Sequence, residues 1–350
     1  MKIKNLVNKL ALAIVLGFAF ASCTNDNNNN EIAKLPTFVE TFRTNPNFSV
    51  LIKALDATGL STTLASAGSY TVFAPTNAAF AAFVAPAGST LPSAITDATF
   101  ATPLTPAQIT ELRRILQYHV LSLGTKSTDL LAASYVSTFA TAVGTTTLSL
   151  YVSQVSADVL LNGGAANGGA KVTTADIDSS NGIIHIIDNV LKLPKIVNFA
   201  VANPNLSTLV SVVTSGPTGP YGDQSAVLTA LNGNGPLTVF APLNSAFATA
   251  TAAGGFITGA NATPANISKI IRHHVSNGNL RATSVTVWAA TNTTISTLAT
   301  PQTFLITANT GKISELPAIT VPASNIRVIN IQATNGVVHA IDRVLQPTLP

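Results

Sequence analysis

Charge and sulfur are scarce in this chain. Of 350 residues only 9% are charged, aromatic residues make up 6%, and cysteine, methionine and tryptophan occur once each. A single cysteine can form no disulfide within the chain and supply no cysteine metal cluster. Eighteen Lys and Arg against 14 Asp and Glu give a formal charge of +4. No basic patch dominates, which argues against a nucleic-acid partner. No Gly-x-Ser-x-Gly elbow and no His-Glu-x-x-His sequence occurs, so the commonest hydrolase and zinc-protease signatures are missing. What remains is 47% hydrophobic, a composition that folds.

The first residues read separately from the rest. Lys2, Lys4 and Lys9 precede an apolar run from Leu10 to Phe20 that ends at Ala21-Ser22-Cys23. The run is too short to span a bilayer and has the form of an export signal over residues 1–22. Small residues before the lone cysteine predict lipidation of Cys23, with Phe20 where such a box carries an aliphatic residue. Without the three signal lysines the charge falls to about +1. Residues 23–34, rich in Asn, read as a flexible tether. The expected setting is therefore an extracytoplasmic, membrane-anchored lipoprotein on the cell surface or periplasmic face.

Beyond the tether the sequence repeats. "TVFAPTNAAF" at 71–80 returns as "TVFAPLNSAF" at 238–247, and "NGIIHIIDNVL" at 181–191 as "NGVVHAIDRVL" at 335–345. "ILQYHV" at 115–120 likewise matches "IIRHHV" at 270–275. Order is kept while spacing drifts, as when insertions fall in loops. This predicts two tandem domains, 35–192 and 193–347.

Local patterns give an α+β reading for each copy. Phe48, Leu51, Ile52 and Leu55 share one helical face ahead of Gly59, and Leu206, Leu209, Val210 and Val213 do the same ahead of Gly216. Thr105, Pro106 and Gln108 open a further helix with a capping box. His119 and His274 fall on the apolar face of their helices, whereas His273 falls off it. After the Ala-Pro turn a short helix is expected to take its cap from Asn77 and Asn244, because Thr76 becomes Leu243 in the second copy. Later segments alternate in the manner of strands. "NGGAANGG" at 162–169 reads as a mobile hairpin loop, since no helix or Lys-Ser/Thr pair follows it to cradle phosphate.

These motifs resemble the fasciclin-like domain family: Thr71 to Asn77 with Phe80, Tyr118-His119, and Asn181 to His185 with Asp188 to Leu191. The second copy matches at Thr238 to Pro242 with Asn244 and Phe247, at His274, and at Asn335 to Leu345. The resemblance covers about residues 35–347. It implies a β-wedge or sandwich with helices packed against it, in an adhesion or interaction module. In animal relatives, integrin adhesion is tied to a Tyr-His and an Asp-Ile motif. By resemblance, Tyr118, His119, Asp176 and Ile177 are candidate interaction residues. The second copy departs at both, with His273 for the Tyr and Asn330-Ile331 for Asp-Ile.

The remaining repeated polar residues are Asn77, His185, Asp188, Asn244, His274, His339 and Asp342. They read as structural, each satisfying nearby backbone groups. A metal site built on His119 and His185 would need a third ligand that no spacing supplies. No catalytic residue and no cofactor is expected. The favoured partners are a membrane, through lipid on Cys23, and a protein or glycan on a cell surface or matrix. Carbohydrate capture, for which Trp288 and five tyrosines offer few aromatic platforms, is the alternative, with a hydrolase or metal enzyme behind it.

Overall fold

The computed structural model describes residues 35–142, 145–282, 291–316 and 322–350. Cys23, the signal, the tether and Trp288 lie outside them. The first copy begins with three helices, α1 (Phe38–Thr44), α2 (Ser49–Thr58) and α3 (Leu60–Ala65). Next come β1 (Tyr70–Pro75), α4 (Asn77–Ala81), α5 (Pro106–Tyr118), β2 (Val120–Leu121) and α6 (Ser127–Ala133). Five strands complete it: β3 (Tyr135–Thr141), β4 (Thr147–Val155), β5 (Asp158–Leu161), β6 (Ala170–Ser179) and β7 (Gly182–Ile187).

The second copy repeats the plan. Its helical part is α7 (Ile196–Ala202), α8 (Ser207–Val213), α9 (Ser225–Leu231), β8 (Leu237–Pro242), α10 (Asn244–Thr251) and α11 (Pro264–His273). Its later strands are β9 (Val275–Asn277), β10 (Thr293–Ser296), β11 (Thr303–Ile306), β12 (Lys312–Leu316), β13 (Ser324–Ala333) and β14 (Gly336–Ile341).

In the first copy the seven strands close in sequence order, completed by a parallel pairing of β1 with β7 from Tyr70–Gly182 to Pro75–Ile187. The expected wedge is thus a closed barrel, an arrangement that leaves no free strand edge. Among the described residues the second copy forms a seven-stranded sheet ordered β10-β11-β12-β13-β14-β8-β9. Here too the first and last strands of the motif, β8 and β14, run parallel from Leu237–Gly336 to Pro242–Ile341.

The parallel pair explains the repeated Asn-Gly. A Cβ on Gly182 would lie 2.0 Å from the Tyr70 carbonyl oxygen, and one on Gly336 at 2.0 Å from that of Leu237. Side chains of β1 divide between two cores by the period of the strand. Val72 and Ala74 join Phe38, Phe42, Leu51, Phe80 and Leu112 beneath the helices, while Phe73 enters the barrel with Leu148, Leu150 and Val152.

Helix signals hold in part. Thr105 caps α5 in a complete capping box with Gln108, and Gly59 ends α2 with a left-handed φ of 73°. Gly216 does not end α8, which stops at Val213 with Thr214 as its cap. The cap of α4 is Thr76, whose hydroxyl accepts from the Ala79 N–H at 3.3 Å. The expectation of Asn77 and Asn244 as caps is corrected: their side chains turn back to the starts of α2 and α8, and α10 begins after Leu243 with no side-chain cap.

Residues 35–350 form one unit in which the two copies pack against each other. Tyr151 on β4 belongs to the hydrophobic core of the second copy. The Tyr135 ring lies 4.8 Å from that of Tyr151 and 6.0 Å edge-on from Phe199 on α7. Its hydroxyl accepts from Asn203 Nδ2 at 3.0 Å. The Gln332 N–H of β13 donates to Ser149 Oγ on β4 at 2.9 Å.

The Gly-Asn loop at 162–169 closes this junction, where a mobile hairpin was expected. Asn162 is buried, its Nδ2 donates to the Tyr118 hydroxyl at 2.9 Å, and its Oδ1 accepts the Tyr151 N–H at 3.0 Å. Asn167 donates to the Asn198 carbonyl of α7 at 2.7 Å, and Asn198 returns a bond to the Asn167 carbonyl at 3.2 Å. A Cβ on Gly163 would lie 3.1 Å from Ala202 Cα.

Candidate functional site

The repeated histidines fall into two types, each fixed by the backbone groups around it. His119 follows the last residue of α5. Its Nδ1 lies 2.7 Å from the Ile115 carbonyl, and its Nε2 accepts the Leu191 N–H at 2.9 Å. A carbonyl only accepts and an amide only donates, so the ring is the neutral Nδ1–H tautomer. His274 repeats this with Ile270 at 2.8 Å and Leu345 at 2.9 Å. Both rings tie the end of a helix to the chain leaving the last strand.

His185 on β7 carries the opposite tautomer. Its Nδ1 accepts the Asp176 N–H at 3.2 Å, and Nε2 donates to the Thr125 carbonyl at 3.0 Å. His339 does the same with Asn330 at 3.3 Å and Leu280 at 2.9 Å. Each ring stacks on a strand phenylalanine, His185 on Phe73 and His339 on Phe240, with centroids 5.5 Å apart. Burial pushes His119 and His339 down to about 4 and His274 to about 3, and backbone acceptors offset this only in part. His185 is lowered for the same reason, with the nearby Asp176 charge too weak to reverse it. All four thus have both ring nitrogens engaged by the backbone.

Tyr118 and His119 are 0% and 2% exposed, so a docking partner does not meet them in this structure. The Tyr118 hydroxyl donates to the Ser149 carbonyl at 2.7 Å inside the barrel. His273, at the same position in the second copy, is fully buried, contrary to the expectation that it leaves the apolar face. It faces the other core, beside Phe304, with Nε2 2.8 Å from Glu315 Oε2 and Nδ1 3.2 Å from Thr297 Oγ1.

Asp176 and Ile177 are half-buried in a bulge of β6, where the register to β7 slips. Asp176 has φ of 63°, and its carboxylate accepts Ser127 N–H at 2.8 Å and Ser127 Oγ at 2.7 Å, holding the start of α6. Asn330, with φ of 57°, makes the matching clamp to Ala282 N–H at 2.9 Å and its carbonyl at 2.7 Å. Both residue types tolerate a left-handed backbone, so the substitution keeps the device. Asp188 accepts the Lys171 N–H at 2.8 Å, and Asp342 accepts the Asn325 N–H at 2.7 Å while pairing with Arg327 at 2.7 Å.

Asn77 Oδ1 accepts the Val50 N–H at 3.0 Å, and Nδ2 donates to the Pro46 carbonyl at 2.9 Å. Asn244 repeats both bonds, to Thr208 and Pro204. Each braces a short helix to the start of an earlier one. Four further repeated residues, in two pairs, were matched in the sequence but given no role there. Asn181 accepts Phe38 N–H at 3.1 Å and donates to the Leu64 carbonyl at 2.6 Å, and Asn335 does so to Ile196 and Leu231. Thr71 Oγ1 bonds the Leu123 carbonyl at 2.7 Å, as Thr238 bonds Gly278. Their recurrence in the two copies was the signal available. Among the described residues no three His, Cys, Asp or Glu side chains converge as metal ligands do.

The repeated polar residues described above thus hold the framework of a duplicated α+β unit. The fasciclin domain profile matches residues 46–194 and 204–347, and the chain belongs to the fasciclin domain family, whose members are typically adhesion or interaction modules. It is 35% identical over 158 residues to protein sll1483 of Synechocystis sp., covering 45% of this chain and 74% of that protein. It is 34% identical over 164 residues to the uncharacterized protein sll1735 of the same organism, covering 45% and 98%. Transforming growth factor-beta-induced protein ig-h3 of Oryctolagus cuniculus is 28% identical over 231 residues, 65% of this chain and 27% of that protein. Among solved structures, a FAS1 domain pair from the insect cell adhesion molecule fasciclin I aligns with TM-score 0.46 and 17% identity over 87% of this chain and 96% of that one.

Proposed function

We infer that the chain is an adhesion or interaction protein of the cell envelope, anchored by lipid on Cys23, that presents two fasciclin domains as one packed pair. The observation carrying this reading is the use made of the repeated residues. His119, His185, His274, His339, Asn77 and Asn244 all bond the backbone in matching ways. What the duplication preserved is therefore a scaffold, and the parts free to differ are loops, where binding surfaces commonly reside. Family membership supports a contact role, and the sequence around Cys23 supports the anchor.

The test uses cells producing the intact chain, cells with Cys23→Ser and cells without the gene. Radiolabelled lipid precursor should enter only the protein that keeps Cys23, and Cys23→Ser should shift it from the membrane to the soluble fraction. Adherence to matrix or to neighbouring cells should fall on deletion. Equal adherence of all three strains would defeat the adhesion reading.

A further inference from the structure

The two copies differ most in the loop between the fourth helix of the motif and the histidine helix, where the first copy is twelve residues longer. In the first copy that stretch is packed: Phe83, Leu91 and Ile95 are 2%, 5% and 1% exposed and belong to the core under the helices. Counting on from Phe80 and Phe247, the residue at the place of Phe83 is Ala250. A phenyl ring is thereby lost, and fewer residues remain to cover the gap. The second copy has an open cleft there of about 520 Å³, lined by Ala250, Thr249, Phe256, Asn261, Arg343 and Gln346. That volume lies within the usual range of small-ligand sites.

The chemistry of the cleft is specific. Arg343 stands where the first copy has Asn189, whose side chain bonds the Gly169 carbonyl. Arg343 has no hydrogen bond or ion pair among the described residues. Its neighbouring acids are engaged elsewhere, Asp342 with Arg327 and Glu315 with His273. The second copy is also the basic half, with seven Lys and Arg against three Asp and Glu over residues 193–350. The first copy, over 35–192, has seven against nine.

A guanidinium offers a planar fork that matches a carboxylate. Around it the lining supplies a hydroxyl from Thr249 and amides from Asn261 and Gln346, groups that both donate and accept. Half-buried Phe256 adds a ring face of the kind on which sugar C–H groups rest. One cation, several neutral hydrogen-bonding groups and an aromatic wall suit a ligand with one carboxylate and many hydroxyls.

We propose that this cleft binds a uronic-acid residue of an acidic polysaccharide, with Arg343 holding the carboxylate and Phe256 the sugar face. This names a partner class for the adhesion reading above and rests on it. In the first domain the place of Ala250 is taken by Phe83, which is buried in the core under the helices.

The test titrates the full chain in detergent with trigalacturonic acid. Parallel titrations use neutral galactotriose, a sulfated trisaccharide and a peptide with a free C-terminal carboxylate. Trigalacturonate should bind at least tenfold more tightly than the other three. Arg343→Ala should lose at least tenfold, and Arg343→Lys should recover only part of that. Ala250→Phe, which refills the cleft without touching its charge, should abolish binding while the melting temperature is kept.

Equal binding of all the anions, or a loss on Arg272→Ala as large as on Arg343→Ala, would mean undirected charge attraction and would overturn the proposal. Unchanged binding by Ala250→Phe would do so too. Cells carrying Arg343→Ala that adhere normally while the wild-type chain ignores trigalacturonate would sink this site and leave the adhesion reading standing.

Discussion

At the scale of the residue, the buried histidines make stability depend on pH in a defined direction. His119, His274 and His339 titrate at 6.5 in an unfolded chain and are held at about 4, 3 and 4 in the fold. A lowered base binds its proton more readily when unfolded, so the stabilisation is complete above about pH 6.5 and is lost as pH falls towards the folded values. Each histidine contributes a slope of roughly 1.4 kcal/mol per pH unit within that window. Urea midpoints should hold steady from pH 8 to 7 and fall between pH 6.5 and 5, above the range where most carboxylates titrate. His119→Gln should flatten the slope, and a profile flat to pH 5 would contradict the neutral tautomers assigned here. Asn77 offers a second residue-scale test, because a helix cap and an inter-helix brace differ in cost. Thr76→Ala removes one capping bond and should cost about 1 kcal/mol. Asn77→Ala leaves the Val50 N–H and the Pro46 carbonyl without their partner and should cost about 2–3 kcal/mol. Denaturant melts that reverse this order would show that the brace from Asn77 contributes less than the Thr76 cap.

At the scale of the element, the β6 bulge shows why sequence reading reached the scaffold but misjudged particular roles. Periodicity and capping signals are local, so α2 and α5 were legible from their apolar spacing, Gly59, Thr105 and Gln108. Bonds between distant elements leave no local pattern. Asn77 reaches Val50, and Asn181 reaches Leu64 across 117 positions. The cleft at Arg343 was hidden for the same reason, since it arises from residues missing in one loop and a small side chain at Ala250. Asp176 and Asn330 looked like a divergence of motif, yet both clamp the segment after the second strand of their copy. Asp176→Asn should therefore change stability by less than about 0.5 kcal/mol, whereas Asp176→Ala frees Ser127 and should cost about 1–2 kcal/mol. Equal losses for the two variants, measured by chemical denaturation, would show that charge rather than the clamp matters at this bulge.

At the scale of the whole molecule, the packed junction decides how the two domains unfold. Tyr151 sits on a strand of the first copy yet belongs to the core of the second, and Tyr135 bridges it to Phe199. Asn162 links the Tyr118 hydroxyl inside the first barrel to the loop that meets α7. Domains within a chain usually share modest, polar interfaces and move relative to one another. Here aromatic rings and buried polar bonds cross the boundary, so opening it exposes apolar surface and leaves the Gln332 N–H without its Ser149 partner. The intact chain should accordingly melt in one calorimetric transition, with the amides of residues 162–169 protected from hydrogen exchange. Tyr135→Ala removes the aromatic bridge while leaving Phe199 in the core of the second copy, and should split that transition in two. Two transitions in the unmodified chain would instead mean that each domain stands alone, and any partner would then meet two independent modules rather than one surface of fixed geometry.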